Sequence, residues 1–126
     1  MGSSLKKVLI IDDDTRNIYA LRMVLKVKGY ECLTAMDAQA GLQILSEQPD
    51  VGVVLMDMMM PEMDGYEALS IIRSDEQLSG IPVIAVTAQA MVGDREKCLA
   101  AGASEYVSKP IDQEVLLDLL KNKFNM

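Results

Sequence analysis

Three stretches of this chain are apolar from end to end, not on every second residue, and each stops on a polar side chain. Val8-Leu9-Ile10-Ile11 runs into Asp12-Asp13-Asp14, Val51-Gly52-Val53-Val54-Leu55-Met56 into Asp57, and Ile81-Pro82-Val83-Ile84-Ala85-Val86 into Thr87. A strand with one wet face alternates polar and apolar residues. A strand without alternation is covered on both faces, as in a parallel sheet enclosed by helices.

The intervening segments supply the helices. Thr15 to Lys28 places Ile18, Leu21 and Leu25 on one side, with Val24 beside them and Arg16, Asn17, Arg22 and Lys26 facing away. Ala38 to Glu47 carries Leu42 and Leu45, and Tyr66 to Ser74 carries Ala68, Leu69 and Ile72. Met91 to Ala101 is the weakest helix, since Val92-Gly93-Asp94 is poor helix material, and it is expected to be more mobile than its neighbours. In the final helix Val115, Leu116, Leu119 and Leu120 face the sheet. Asp14, Asp37, Asp64 and Asp112 sit where a side-chain oxygen caps a helix start, and Gly29 and Gly102 where a helix closes. Tyr30 to Ala35, nearer the sheet edge, and Ser104 to Val107 complete a strict strand–helix alternation of five pairs. That pattern is an α/β fold with right-handed crossovers and helices on both faces.

Composition narrows the class further. A chain of 126 residues that is 50% hydrophobic and 25% charged forms one compact domain and is not disordered. Its net charge of -7, with no Lys/Arg stripe to offset it, argues against direct nucleic-acid binding. The absence of histidine removes Ser/His/Asp, Cys/His and zinc–histidine sites together. Cys32 and Cys98 read as two reduced thiols. No apolar run reaches the roughly 18 residues of a membrane span, and no charged-then-apolar leader is seen, so the expected location is the cytoplasm. Met1-Gly2-Ser3-Ser4 reads as a start residue and linker; residues 1–5 are set outside the domain, which is assigned to 6–124 with a tail at 125–126.

If the sheet is doubly wound with its first strand central, the polar strand ends meet at one switch-point crevice. Asp12, Asp13, Asp57, Thr87 and Lys109 would gather there. Crowded carboxylates raise one another's pKa unless a cation intervenes, and an all-oxygen shell favours a hard ion such as Mg²⁺. The Met59 backbone carbonyl is near enough in sequence to add a ligand. Lys109 offers a cation and Thr87 a hydroxyl for a phosphoryl group. Asp57, alone at its strand tip, is the candidate nucleophile, forming an acyl phosphate. Asp14 is read as a cap only, and Met56, Met58, Met59, Met60 and Met63 as adaptable packing, not a soft-metal site.

At these residues the chain resembles the receiver domain of bacterial two-component response regulators, from about Lys7 to Lys123. The likeness rests on Ile10-Ile11-Asp12-Asp13-Asp14, the stretch Val54 to Gly65 around Asp57, Ile84-Ala85-Val86-Thr87-Ala88, Gly102-Ala103 and Tyr106-Val107-Ser108-Lys109-Pro110, in this order and spacing. The resemblance implies a flavodoxin-like (βα)5 sheet of strand order 2-1-3-4-5 with Asp57 as phosphoacceptor. It implies Mg²⁺, replaceable by Mn²⁺, held by Asp13, by Asp12 more often through water, by Asp57 and by the Met59 carbonyl. It further implies that Lys109 pairs with the phosphoryl oxygens, that Lys109-Pro110 is cis, and that Thr87 and Tyr106 form a switch pair acting on the fourth helix, fifth strand and fifth helix. The phosphodonor would be a phosphohistidine on a sensor kinase or histidine phosphotransfer protein, and the changed surface would meet an unidentified downstream protein, with a phosphorylation-dependent homodimer left open. Met59 and Gln89 are the variable positions at the pocket mouth that should tune phosphoryl loss.

Two other readings stand beside this one. A haloacid-dehalogenase-like phosphatase also uses an aspartyl nucleophile and Mg²⁺, but in Asp12-Asp13-Asp14-Thr15 the threonine comes one place early for its DxDxT motif. A receiver-like scaffold that is never phosphorylated usually loses an acid or the lysine, and both are present here. The chain reads equally as a stand-alone regulator and as a receiver cut from a longer protein such as a hybrid kinase.

Overall fold

The computed structural model describes residues 6–88 and 91–124. Ten elements alternate: β1 (Lys6–Ile11), α1 (Thr15–Val27), β2 (Tyr30–Ala35), α2 (Ala38–Glu47), β3 (Val51–Asp57), α3 (Gly65–Ser74), β4 (Val83–Thr87), α4 (Asp94–Ala100), β5 (Glu105–Ser108) and α5 (Gln113–Phe124). The strands form one parallel sheet of order β2-β1-β3-β4-β5, the flavodoxin-like arrangement.

The unbroken apolar runs are explained by two separate cores. Leu9 and Ile11 of β1, Val54 and Met56 of β3, and Val83 and Ala85 of β4 face α2, α3 and α4. The residues between them, Val8, Ile10, Val53, Leu55, Ile84 and Val86, face α1 and α5 through Ile18, Leu21, Leu25, Leu116 and Leu120. Each of these three strands therefore buries both of its faces, at about 1.5–3 kcal/mol per large side chain. Met56, Met58 and Met60 are buried in the first of these cores, as packing.

The register brings the polar strand ends level. Ile11 lies opposite Ala35 and Met56, Asp57 opposite Val86, and Thr87 opposite Ser108. Asp12, Asp57, Thr87 and Lys109 thus leave the sheet along one edge.

The caps fall where the sequence placed them. Asp14 accepts from the Arg16 and Asn17 amides, Asp37 from Ala40, Asp64 from Glu67, and Asp112 from Glu114 and Val115. Gly29 and Gly102 follow α1 and α4 at φ +92° and +116°.

Several expectations are corrected. α4 starts at Asp94, not Met91, because Gly93 sits at φ 89°, a left-handed conformation that breaks the helix before it. β4 starts at Val83: Pro82 lies outside the strand, and its carbonyl accepts from the Val54 amide at 2.9 Å. β5 is shifted one residue, to Glu105–Ser108. Val115 does not face the sheet but is 48% exposed, since α5 aims Leu116 and Leu120 at the core and Val115 lies on the flank of that arc. The leader at 1–5, the tail at 125–126 and Gln89 lie outside the described residues.

Candidate functional site

The carboxylate of Asp57 is held at the tip of β3 by its own following loop. Its Oδ1 accepts from the Met59 amide at 2.9 Å, while the Met58 amide donates to the Val86 carbonyl at 2.9 Å and ties the loop to β4. The loop then turns sharply into α3, and only glycine fits at that junction. A Cβ on Gly65 would lie 2.7 Å from the Met58 Cα and 3.1 Å from the Asp57 carbonyl oxygen. Asp57 is 6% exposed and Asp12, just past β1, is 2% exposed.

Two buried anions side by side need a counter-charge, and Lys109 supplies it. Its Nζ lies 3.2 Å from Asp12 Oδ2 and 3.5 Å from Asp57 Oδ2. The lysine is delivered by β5: its amide donates to the Thr87 carbonyl at 2.7 Å, and the Lys109-Pro110 bond is cis. Asp12 is further fixed by the Asp14 amide at 2.8 Å on Oδ1 and by the Asn17 side-chain amide at 2.6 Å on Oδ2.

Asn17 is therefore not one of the outward-facing residues of α1. It was legible in principle, because a helix capped by Asp14 turns its third residue back toward the preceding strand end. The period of the apolar face alone does not reveal this.

Asp13 is exposed, yet one oxygen from each of Asp12, Asp13 and Asp57 fits within 4.8 Å of the others. Three carboxylates against one ammonium leave negative charge uncompensated. Burial pushes the Asp57 carboxyl above its ordinary value; the Met59 amide and the Lys109 charge pull it back, and the Asp12 charge adds to the rise. For Lys109, burial alone would lower the ammonium, but the Asp12 hydrogen bond and the charges of Asp12 and Asp57 together hold it above the usual lysine value. An electron-rich, all-oxygen cluster of this kind fits a hard divalent cation.

Thr87 ends β4 at the same edge and is 4% exposed. Tyr106, on β5, is half-buried against the α3–α4 side of the sheet, and burial first, then Asp94 and Cys98, pushes its phenol upward. The Met59 side chain is 57% exposed, at the lip of the loop. Thr15 begins α1 as an exposed residue.

Comparison with known proteins agrees with this geometry. Residues 8–121 match the response regulator receiver domain family. The polar-differentiation response regulator DivK of Brucella ovis is 36% identical over 118 residues, covering 93% of this chain and 94% of that protein. Hybrid signal transduction histidine kinase I of Dictyostelium discoideum is 36% identical over 124 residues, 94% of this chain but only 7% of that much longer protein. Among solved structures, the receiver domain of the Pseudomonas aeruginosa sensor kinase PA1611, with magnesium coordinated in its active-site cleft, superposes with a TM-score of 0.87 at 31% identity, covering 98% of this chain and all of that one. A CheY-like receiver from Methanospirillum hungatei gives 0.84 at 34% identity over 95% of this chain and 94% of that one.

Proposed function

This chain belongs to the response regulator receiver domains, and from that premise we propose that it is a two-component signalling switch whose phosphoacceptor is Asp57. It carries the acidic cluster of that family, which operates as phosphorylation switches. The observation that carries the residue assignment is the position of Asp57: a buried carboxylate at the tip of the central strand, braced by the Met59 amide and faced by Lys109.

In the proposed reaction a carboxylate oxygen of Asp57 attacks the phosphorus of a phosphohistidine. A P–O bond forms as the P–N bond breaks, and the electron pair returns to an imidazole that leaves as a neutral ring with its proton on the other nitrogen. Lys109, which faces Asp12 and Asp57, would pair with the phosphoryl oxygens and compensate the charge moved into the pocket. Mg²⁺ would be held by Asp12, Asp13, Asp57 and the Met59 carbonyl, and when bound it supplies further positive charge to those oxygens. The phosphodonor is a sensor histidine kinase or a histidine phosphotransfer protein, which suits a chain with no histidine of its own.

Phosphorylation replaces the single charge of the carboxylate with a phosphoryl dianion, about one net negative charge more, and its oxygens give the Thr87 hydroxyl a strong acceptor toward which it is drawn. Tyr106 follows from its half-buried position, remodelling the α4–β5–α5 surface for a downstream protein. No described helix is long and apolar enough to cross a membrane, in keeping with a cytoplasmic switch built from residues 6–124.

The test is incubation with Mg²⁺ and acetyl phosphate, followed by intact mass. A gain of one phosphoryl group that hydroxylamine removes, and that Asp57→Asn abolishes, is expected. An unchanged mass, or an adduct that survives in Asp57→Asn, would overturn the assignment.

A further inference from the structure

α4 has few ties to the rest of the chain. It spans seven residues, begins at a left-handed Gly93 with no capping side chain, and buries only Cys98. Among the described residues no salt bridge reaches it. Tyr66 of α3 does reach it. The Tyr66 hydroxyl and the Cys98 Sγ lie 3.5 Å apart, in hydrogen-bonding contact, and the Lys97 Nζ stands 4.8 Å from the centroid of the same ring.

Lys97 and Cys98 are adjacent on α4 and therefore point about 100° apart. One tyrosine meets both, with its hydroxyl at the thiol and its ring face at the ammonium, so it fixes how α4 is turned as well as where it lies. Each contact alone is modest. The base of Tyr66 is stiffer. Its neighbour Gly65 is the residue that admits no Cβ against Met58 and the Asp57 carbonyl, and the Asp64 carboxylate caps α3 through the Glu67 amide at 3.0 Å. Tyr66 thus stands on the phosphoacceptor loop and extends to α4. Burial first, and then the bond to Cys98, hold its phenol well above the ordinary tyrosine value, so the hydroxyl keeps its proton at neutral pH. Tyr106 shares the neighbourhood, since Asp94 and Cys98 raise its phenol as well.

We propose that Tyr66, with Cys98 and Lys97, is a clasp that holds α4 in its resting position and sets how much phosphoryl binding energy is needed to move it. This role presupposes the phosphorylation switch at Asp57, and adds a restraint that neither Asp57 nor the pair Thr87 and Tyr106 supplies. A pull on the β4–α4 loop acts at the start of α4, whereas the clasp grips its fourth and fifth residues. A phosphoryl group can shift α4 only by as much as it favours the moved position over the clasped one, so contacts made solely in the clasped position oppose the response. Weakening them makes the switch easier to throw; removing a tyrosine hydroxyl that merely fills space would not.

Tyr66→Phe keeps the ring and its Lys97 contact and deletes the hydroxyl, and Cys98→Ala deletes the thiol. In the full chain without a phosphodonor, each should raise deuterium exchange of the α4 amides at least about threefold, while α2 and α5 keep their rates. Beryllofluoride, a phosphoryl mimic, is then titrated with Mg²⁺ into the ¹⁵N-labelled proteins. Each single variant should tighten its apparent Kd at least about threefold, and the double variant no further than the stronger single one, because both substitutions break one contact. Cys98→Ser, which keeps a hydrogen-bonding group, should return toward the parent. Unchanged α4 exchange in Tyr66→Phe, faster exchange without tighter beryllofluoride binding, weaker binding, or additive effects in the double variant would each overturn the clasp. A parent chain that binds no beryllofluoride would refute the phosphoacceptor assignment and the clasp's role with it, and is told apart from failure of the clasp alone because it needs no substitution.

Discussion

Lys109 is the cation between two buried carboxylates, within 3.2 Å of Asp12 and 3.5 Å of Asp57. Lys109→Met keeps much of the stem and deletes the charge, leaving Asp12 and Asp57 to repel each other at close range. The Asp57 carboxyl, already raised by burial, should then titrate at still higher pH, and phosphorylation should fall by at least about a hundredfold. Carboxyl ¹³C shifts followed against pH, and acetyl-phosphate labelling rates, check both; an unmoved titration midpoint would show that the ammonium is not the counter-charge. At Met59 the side chain is 57% exposed and offers no hydrogen bond to an attacking water. Met59→Asn supplies an amide there and should speed loss of the phosphoryl group by about tenfold while transfer persists, as parallel decay assays would show. Carboxylates at strand tips were readable from the sequence because a full stop to an apolar run is a local signal. The bond from Asn17 to Asp12 was not, because it depends on how α1 is rotated against β1.

Elements whose boundaries depend on neighbouring residues alone were legible, and those that depend on packing were less so. Asp14, Asp37, Asp64 and Asp112 cap because a side-chain oxygen reaches an amide two or three residues on, whatever the tertiary context. Val115 lies on the flank of α5 because the rotation of that helix against the sheet buries Leu116 and Leu120 instead, which the local sequence does not decide. α4 is the limiting case: seven residues, with Cys98 its one fully buried side chain. Its amides should exchange with deuterium faster than those of the other helices, and equal protection across all five would contradict that. A stiffer connection lies at the opposite end of the sheet, where Arg73 of α3 donates from Nε to the Gly102 carbonyl at 2.8 Å and from Nη1 to the Ser79 and Ile81 carbonyls at 3.0 and 2.8 Å. One guanidinium thereby joins the loops before β4 and β5. Arg73→Ala should cost about 2 kcal/mol in urea denaturation, and Arg73→Lys should recover little of it, since an ammonium lacks the planar fork.

At the scale of the whole molecule, strand order was the one feature that no window of sequence contains; alternation gives parallel strands, but only the family resemblance supplied 2-1-3-4-5. That order, with its level register, is what concentrates Asp12, Asp13 and Asp57, and the concentration has a consequence for stability. The folded chain holds a proton on Asp57 more tightly than an ordinary aspartate near 3.8. Its contribution therefore favours folding below that value and is lost as pH rises through the raised folded value. At neutral pH the metal-free fold carries that loss, and a divalent cation bound only by the folded state restores stability by mass action, about 2.7 kcal/mol at a hundredfold excess over Kd. Thermal unfolding followed by circular dichroism should accordingly show an upward shift of several degrees with Mg²⁺ at pH 7, shrinking toward zero as acid protonates the cluster and displaces the ion. Asp57→Asn should unfold at higher temperature than the parent without Mg²⁺ at pH 7, because the buried charge is gone, and should gain little from Mg²⁺. If Mg²⁺ stabilised Asp57→Asn as strongly as the parent chain, the ion would be bound elsewhere, and this coupling of fold, charge and metal would be refuted.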